Sequence, residues 1–510
     1  MSEIEGRADA DEAESQLALG TAFVLAGQAA FVLCGYFLHF YMSRAIGPVA
    51  FGTYGVVMDV LTWTQNALNN GVPWAVRRFL PADPEASATI LHQGLRWQLI
   101  AGVALYAASM LLSPWFGQMV SDDAIAFHLR LALIDMLPMA LYTFYRGALN
   151  GLRLFAAQGA SLVAYAVAKL VFSALLVRAG FSLRGALVGN TFGTLVGWLF
   201  SYWLLRRWGG MAGRTGARAP EQFPQHYDGR QLLGFALPTV VFTLASTFLT
   251  SVGLVGVKAV VQSDLQVAYF SAAKNLSTAP TLLLVTFSWT LFPHLAGSIA
   301  AGDRALTRTY IRSAVRYLSW VLVPGIALVL ATSPRLLATV YPEEFAAGAP
   351  ALNLLIISTG LYSLFMVLGN AILAEGRVLL GLAIPCALVP VSVLATWLLT
   401  QLLGPIGAAA AAVLSTGAAV GVSAYYVLPR FAVDLDWASI GRVTVASLVI
   451  YLAARIQVPS GMRLMAYYVV LGSTYLGLLA LLGEITVHEA RQWQAGLSAA
   501  VHRWRIWRRV

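Results

Sequence analysis

Charge is what this sequence has least of: Asp, Glu, Lys and Arg make up 11% of its 510 residues, against roughly 25% in soluble globular chains. With 59% hydrophobic residues and a mean hydropathy of +0.72, a soluble domain is excluded and lipid is the solvent along most of the chain. Cysteine is nearly absent. Cys34 and Cys386 both fall in apolar runs, which rules out a disulfide framework and a cysteine metal site. Lysine is equally scarce, with Lys169, Lys258 and Lys274 the whole set. The seven histidines, His39, His92, His128, His226, His294, His488 and His502, show no metal-ligand spacing. No hydrolytic triad, Walker loop or nucleotide motif is visible. Neither catalysis, nor a cofactor, nor a resident metal is expected. The net charge of +10 is scattered through loops rather than gathered on one domain, so it does not point to nucleic acid.

What is present is a series of apolar runs of about 20 residues, the length that crosses a bilayer as a helix. They predict spans near 18–42, 51–76, 97–117, 125–149, 156–178, 183–205 and 231–255, and again near 265–295, 313–333, 347–374, 378–401, 405–428, 438–456 and 463–483. The runs are too long and too little alternating for barrel strands. An all-α polytopic membrane fold of about fourteen helices is the expectation. The opening residues carry six acids and one Arg before the first run, so that run reads as a retained anchor rather than a signal peptide. Basic residues collect in alternate loops, with Arg206, Arg207, Arg214, Arg218 and Arg230 in one and Arg304, Arg308, Arg312 and Arg316 in another. The positive-inside rule then places both termini in the cytoplasm of a cell, or inner, membrane.

The segment 207–230 is rich in Gly, Pro and Arg and reads as a linker between halves. The second half echoes the first. Gly20 to Arg44 matches Gly234 to Lys258; Asp83 and Arg96 match Asp303 and Arg316; Ser113-Pro114 matches Ser333-Pro334; Asp122-Asp123 matches Glu343-Glu344; and Arg153 matches Arg377. Five landmarks in order argue for a duplication of six helices. Because six is even, the repeats are parallel, with substrate expected in the cleft between them. The expected domains are an acidic tail at 1–17, lobes at 18–206 and 231–430, helices thirteen and fourteen at 431–484, and a basic amphipathic tail at 485–510 with Trp493, Trp504 and Trp507 lying on the inner leaflet.

Ionisable groups at membrane depth are costly and usually face an aqueous cavity or one another. On span two, Asp59, Trp63, Asn66 and Asn70 recur on one helical face, a lining suited to a hydrated, sugar-tolerant cavity; interhelical hydrogen bonding is the structural alternative. Lys274 lies about 15 Å into span eight at 1.5 Å per residue. Lys169 and Asp135 are similarly deep, and either neutralise one another or form a cationic or proton-relay site. Arg44 and Lys258 end the first helices of the two repeats. Excess cations around a polar cleft point to an anionic cargo, and phosphate is the anion that Lys and Arg bind readily.

The stretch SRAIGPVAFGTYGVV (43–57) resembles the first interhelical turn of bacterial oligosaccharide and polysaccharide flippases. VAYFSAAKNLSTAP (267–280), LFPHLAG (291–297), Gly302-Asp303 and AILAEGR (371–377) are similar to second-repeat landmarks of the same family. The resemblance covers nearly the whole chain. It implies membership of the multidrug, oligosaccharidyl-lipid and polysaccharide exporter superfamily, and the turning of polyprenyl-pyrophosphate-linked glycans from the cytoplasmic to the outer leaflet by alternating access. Many relatives carry an acid in span seven where this chain has Gly253, which leaves Asp59 or Asp135 to take a driving H⁺ or Na⁺. On this reading Lys274, Lys258, Arg44 and Lys169 hold the pyrophosphate and the Asp59–Asn70 face holds the glycan. The expected partners are the lipid-linked oligosaccharide, membrane lipids and other polysaccharide-assembly proteins. The competing readings are a cation-coupled drug antiporter of the same fold, a peptidoglycan-precursor flippase, and a non-transporting scaffold of a glycan-synthesis complex.

Overall fold

The computed structural model describes residues 2–81, 86–212, 229–279, 291, 294–456, 458–461 and 463–484, and these contain helices and connecting turns with no strand. In chain order the helices are α1 (Ser2–Ala45), α2 (Pro48–Asn70), α3 (Val72–Phe79), α4 (Ser87–Met119), α5 (Asp123–Leu133), α6 (Met136–Gly151), α7 (Phe155–Leu176), α8 (Ser182–Ala212), α9 (Gly229–Val261) and α10 (Asp264–Ser277). There follow α11 (294–300), then α12 (Arg304–Val340), α13 (Ala349–Ala374), α14 (Val378–Leu403), α15 (Pro405–Arg430), α16 (Trp437–Ile456) and α17 (Arg463–Leu481). Eleven segments among the described residues are long and apolar enough to cross a membrane. One of them, Phe155–Trp208, folds back at Gly180 and Ser182 and holds two crossings. The polar face of α2 keeps it off that list, and the eighth expected span begins with α10 and continues into residues 280–290, outside the described set. Most of the expected linker (213–228), Asp83 and the whole basic tail (485–510) also lie outside it.

By packing, one unit comprises Met1–Ala272 with Val378–Ser415, and the other Ala273–Arg377 with Thr416–Val510. In the first, the turn between α1 and α2 is made by Gly47 at φ 78 followed by Pro48 at the first helical position, a pairing that the backbone needs of each residue. On α8, Gly189 and Gly193 let the backbone of α7 approach closely. A Cβ on Gly193 would lie 2.5 Å from Lys169 Cα, and one on Gly189 2.4 Å from Ser173 Cα, the small-residue contact by which membrane helices pack. Gly193→Val is expected to destabilise the protein by about 2–3 kcal/mol, the cost of overpacking against a backbone that cannot move aside; thermal unfolding of the purified protein in detergent measures it.

Two expected single spans are broken helices. Span two stops at Asn70 and restarts as α3, because Pro73 has no N–H and Gly71 adopts a non-helical backbone. The buried Gln98 stitches the break, donating to the Leu68 carbonyl at 3.2 Å and the Ala140 carbonyl at 3.1 Å. Span four divides between α5 and α6 at Ile134 and Asp135, where Pro138 leaves the Ile134 carbonyl without its helical donor. The break puts Asp135 at the start of α6.

In the second unit, helices thirteen and fourteen of the expected set, α16 and α17, pack on α12 through Trp320, Ala446, Ile450, Leu471 and Tyr475. Charges fasten one end of this assembly: Arg308 pairs with Asp434, Arg312 with Asp436 at 2.8 Å, and Arg316 with Glu484 at 2.8 Å. The three arginines are four residues apart and so share one face of α12. The AEGR landmark is a helix terminus. Gly376 turns the chain at φ 82, and Glu375 accepts from Arg430 at 2.7 Å and from the Tyr426 hydroxyl at 2.9 Å.

Candidate functional site

The polar face of α2 is half-buried along its length, with Asp59, Trp63, Asn66 and Asn70 all partly accessible. The Trp63 ring packs on Phe248 of α9, centroids 4.9 Å apart. Asn70 returns its amide to the Asn66 carbonyl at 3.0 Å, so the end of the face meets its own helix rather than a neighbouring one. Such a face, partly accessible among apolar helices, offers a polar cargo a carboxylate, an aromatic ring and amides.

Asp135 is fully buried, 0% exposed, and accepts a 2.5 Å hydrogen bond from Gln65 Nε2 of α2. Thr194 and Asn190 of α8 and Lys169 of α7 surround it, and Lys169 also acts on His39 of α1. Asp135 and Lys169 lie within electrostatic reach but not in direct ion-pair contact among the described residues. A buried carboxylate among hydroxyl and amide groups from two helices, with a lysine countercharge held off on a third, has the chemistry to bind a small cation or exchange a proton.

The cations do not form one cluster within the first unit. Lys258, 4% exposed, is paired with Asp122 at 2.8 Å and with Asp264. Burial alone would raise the Asp122 carboxyl, but hydrogen bonding and charge from Lys258, with the N–H groups of Ile125 and Ala124, outweigh it and hold the group below its ordinary value. Arg44 is exposed and donates to the Phe40 carbonyl at 3.1 Å. Lys274, half-buried, lies in the last turn of α10 and belongs to the second unit. At Gly253, an added Cβ would meet the Phe270 ring at 3.2 Å, so a side chain there would need that ring to give way slightly.

The sequence did not show Gln65, Asn190 and Thr194 around Asp135, His39 near Lys169, or Asp122 and Asp264 around Lys258. Asp264 lies six residues from Lys258 and was the one partner legible locally. The others arrive from distant helices, and only buried amides in otherwise apolar runs hinted at them.

The sequence profile of the family described as "Polysaccharide biosynthesis protein" matches residues 17–298. No curated protein sequence matches the chain. Among solved structures, the lipid II flippase MurJ in an inward closed conformation superposes with a TM-score of 0.70 at 12% identity, covering 90% of this chain and 98% of that one. An inward-facing multidrug resistance MATE family transporter of the MOP superfamily superposes with a TM-score of 0.65 at 16% identity, covering 78% and 94%. A MOP superfamily transporter from Pyrococcus furiosus, described as having a binding pocket of reversed polarity, gives 0.62 at 16%, covering 82% and 95%. At these identities the superpositions speak for the fold, which is the all-α, multi-pass fold expected from the sequence. With the family match over more than half its length, the chain belongs to the polysaccharide biosynthesis protein family, as a multi-pass membrane protein with the fold that these solved structures share.

Proposed function

We propose that this protein flips a polyprenyl-pyrophosphate-linked oligosaccharide from the cytoplasmic to the outer leaflet of the inner membrane by alternating access, with both termini in the cytoplasm, for cell-surface polysaccharide assembly. The observation that carries the reading is the half-buried face of α2, with Asp59, Trp63, Asn66 and Asn70, inside a chain of a polysaccharide biosynthesis family. An aromatic ring flanked by a carboxylate and amides suits sugar hydroxyls. In this reading Arg44, Lys258 once its carboxylates release it, and, separately, Lys274 each offer a cation to the pyrophosphate, and the lipid tail stays in the bilayer. Lys169, beside Asp135, serves the coupling site in this reading, and Asp135 takes the H⁺ or Na⁺ that drives the cycle.

A second reading, a flippase for the peptidoglycan precursor, is favoured by the likeness to a lipid II flippase over 90% of the chain. The two share a pyrophosphate and differ in the glycan. The test is transbilayer movement of each lipid-linked substrate in proteoliposomes. Lys274→Ala is expected to lower movement of the oligosaccharide lipid about tenfold or more, in line with losing a buried charge contact to phosphate. Movement unchanged in the variant removes Lys274 from the site. Drug efflux without lipid movement by the intact protein overturns the flippase reading.

A further inference from the structure

Lys258, Asp122 and Asp264 come from two chain junctions. Asp122 caps α5 just after α4, Lys258 lies in the last turn of α9, and Asp264 opens α10. Two parallel six-helix repeats put these junctions on the same membrane face, and the ion pairs join them there. Beside the triad, α2 and α10 touch with almost no side chain between them. A Cβ on Gly52 would lie 2.7 Å from the Asp264 carbonyl oxygen and 3.0 Å from Ala268 N, and one on Gly55 2.1 Å from Ser271 Oγ. Phe51, Val56 and Val57 are each 0% exposed along this stretch of α2. Asp264 takes part in both contacts, its side chain in the triad and its carbonyl against Gly52. One helical turn beyond Gly55, the polar face of α2 begins at Asp59. The seam therefore closes one end of that face.

We propose that Lys258, Asp122 and Asp264 form a latch that fastens the α4–α5 junction to the α9–α10 junction beside the α2/α10 seam, and that must release for α10 to part from α2 and open the polar face toward this side of the membrane. The parts suit a reversible contact. A buried ion pair near the bilayer edge exchanges protein partners for water at little net cost, and a glycine seam separates without interdigitated side chains to unpack. The inference concerns the cycle and is independent of the cargo.

The test uses the full chain in proteoliposomes, with Cys34→Ser and Cys386→Ser, and Val56→Cys as a reporter buried in the seam. A membrane-impermeant maleimide is supplied on both faces, and Ile311→Cys, buried in α12, is the control. Lys258→Ala is expected to raise the labelling rate at position 56 by about tenfold or more, a shift of about 1.4 kcal/mol in the open population, with position 311 unchanged. Lys258→Arg, which keeps the cation, should stay slow. If labelling rises at both positions the alanine variant has unfolded, and Asp122→Asn with Asp264→Asn decides the matter by removing only the acids. An unchanged rate at position 56 in that double variant, or in a folded Lys258→Ala, overturns the latch. None of these readouts involves transport, so failure of the proposed cargo leaves the result standing, and the converse also holds.

Discussion

Asp135→Asn should leave a folded protein whose transport no longer responds to a proton or sodium gradient, with gradient-driven flux down by about a hundredfold, the scale on which losing an essential proton carrier acts. The substitution keeps the shape of the side chain, so the 2.5 Å contact with Gln65 and the hydroxyl of Thr194 still find partners. What it removes is the charge. An amide can neither take up a proton nor balance a cation, and the substitution removes the negative charge that faces Lys169. Asp59→Asn provides the contrast, because the proposed function gives this residue, half-buried on the α2 face, to the cargo. It should raise KM for the glycan lipid while gradient dependence survives. Measuring uptake with and without an imposed gradient in the two variants separates the roles, and gradient dependence intact in Asp135→Asn would remove that residue from coupling.

The contrast between these two acids also marks how far the sequence could be read. Asp59 was legible because its companions recur on the same helix, and a helical period needs only local information. Asp135 was legible as a deep acid and a candidate coupling residue but not in its surroundings, since Gln65 lies on α2 and Thr194 and Asn190 on α8, brought in by tertiary packing. The helix break that presents it was signalled by Pro138, yet the surrounding apolar run hides a kink from any hydropathy count. Lys258 shows the opposite error. Counted as an excess cation, it looked ready for phosphate. Its carboxylates, one of them 136 residues earlier in the chain, neutralise it in the fold. Charge tallies along a chain overestimate free charge wherever long-range ion pairs form. Gly47, Gly376 and Asp303 were easier to place because they are punctuation, making turns and a cap whose chemistry is local.

Glu484→Ala should cost about 3 kcal/mol of stability, or several degrees in Tm, the largest loss expected from any single exposed-end substitution in the second unit. The side chain is 1% exposed and gathers Arg316 at 2.8 Å, Arg442 at 3.2 Å, the Trp320 indole at 3.1 Å and the Ser439 hydroxyl. These groups come from α12 and α16, and Glu484 itself follows α17, so one carboxylate ties three helices. Removing it leaves the indole N–H and the hydroxyl buried without their acceptor; the arginines, partly in water, lose less, which keeps the estimate below the upper range for a buried pair. The same carboxylate gives the sign of a pH effect. Burial would raise its pKa, but the hydrogen bonds from Ser439 and Arg316, with the Arg316 charge, hold it below the ordinary 4.5. A folded-state value depressed below the unfolded one contributes stability that is fully present above the unfolded value and is lost as the pH falls through the folded one. The wild-type protein should therefore lose thermal stability on acidification below about pH 4.5, and Glu484→Ala, already without this contribution, should lose less over the same interval. Unfolding temperatures of both proteins in detergent between neutral and acid pH measure the difference, and parallel curves would show that the cluster is not what holds α16 and α17 to α12.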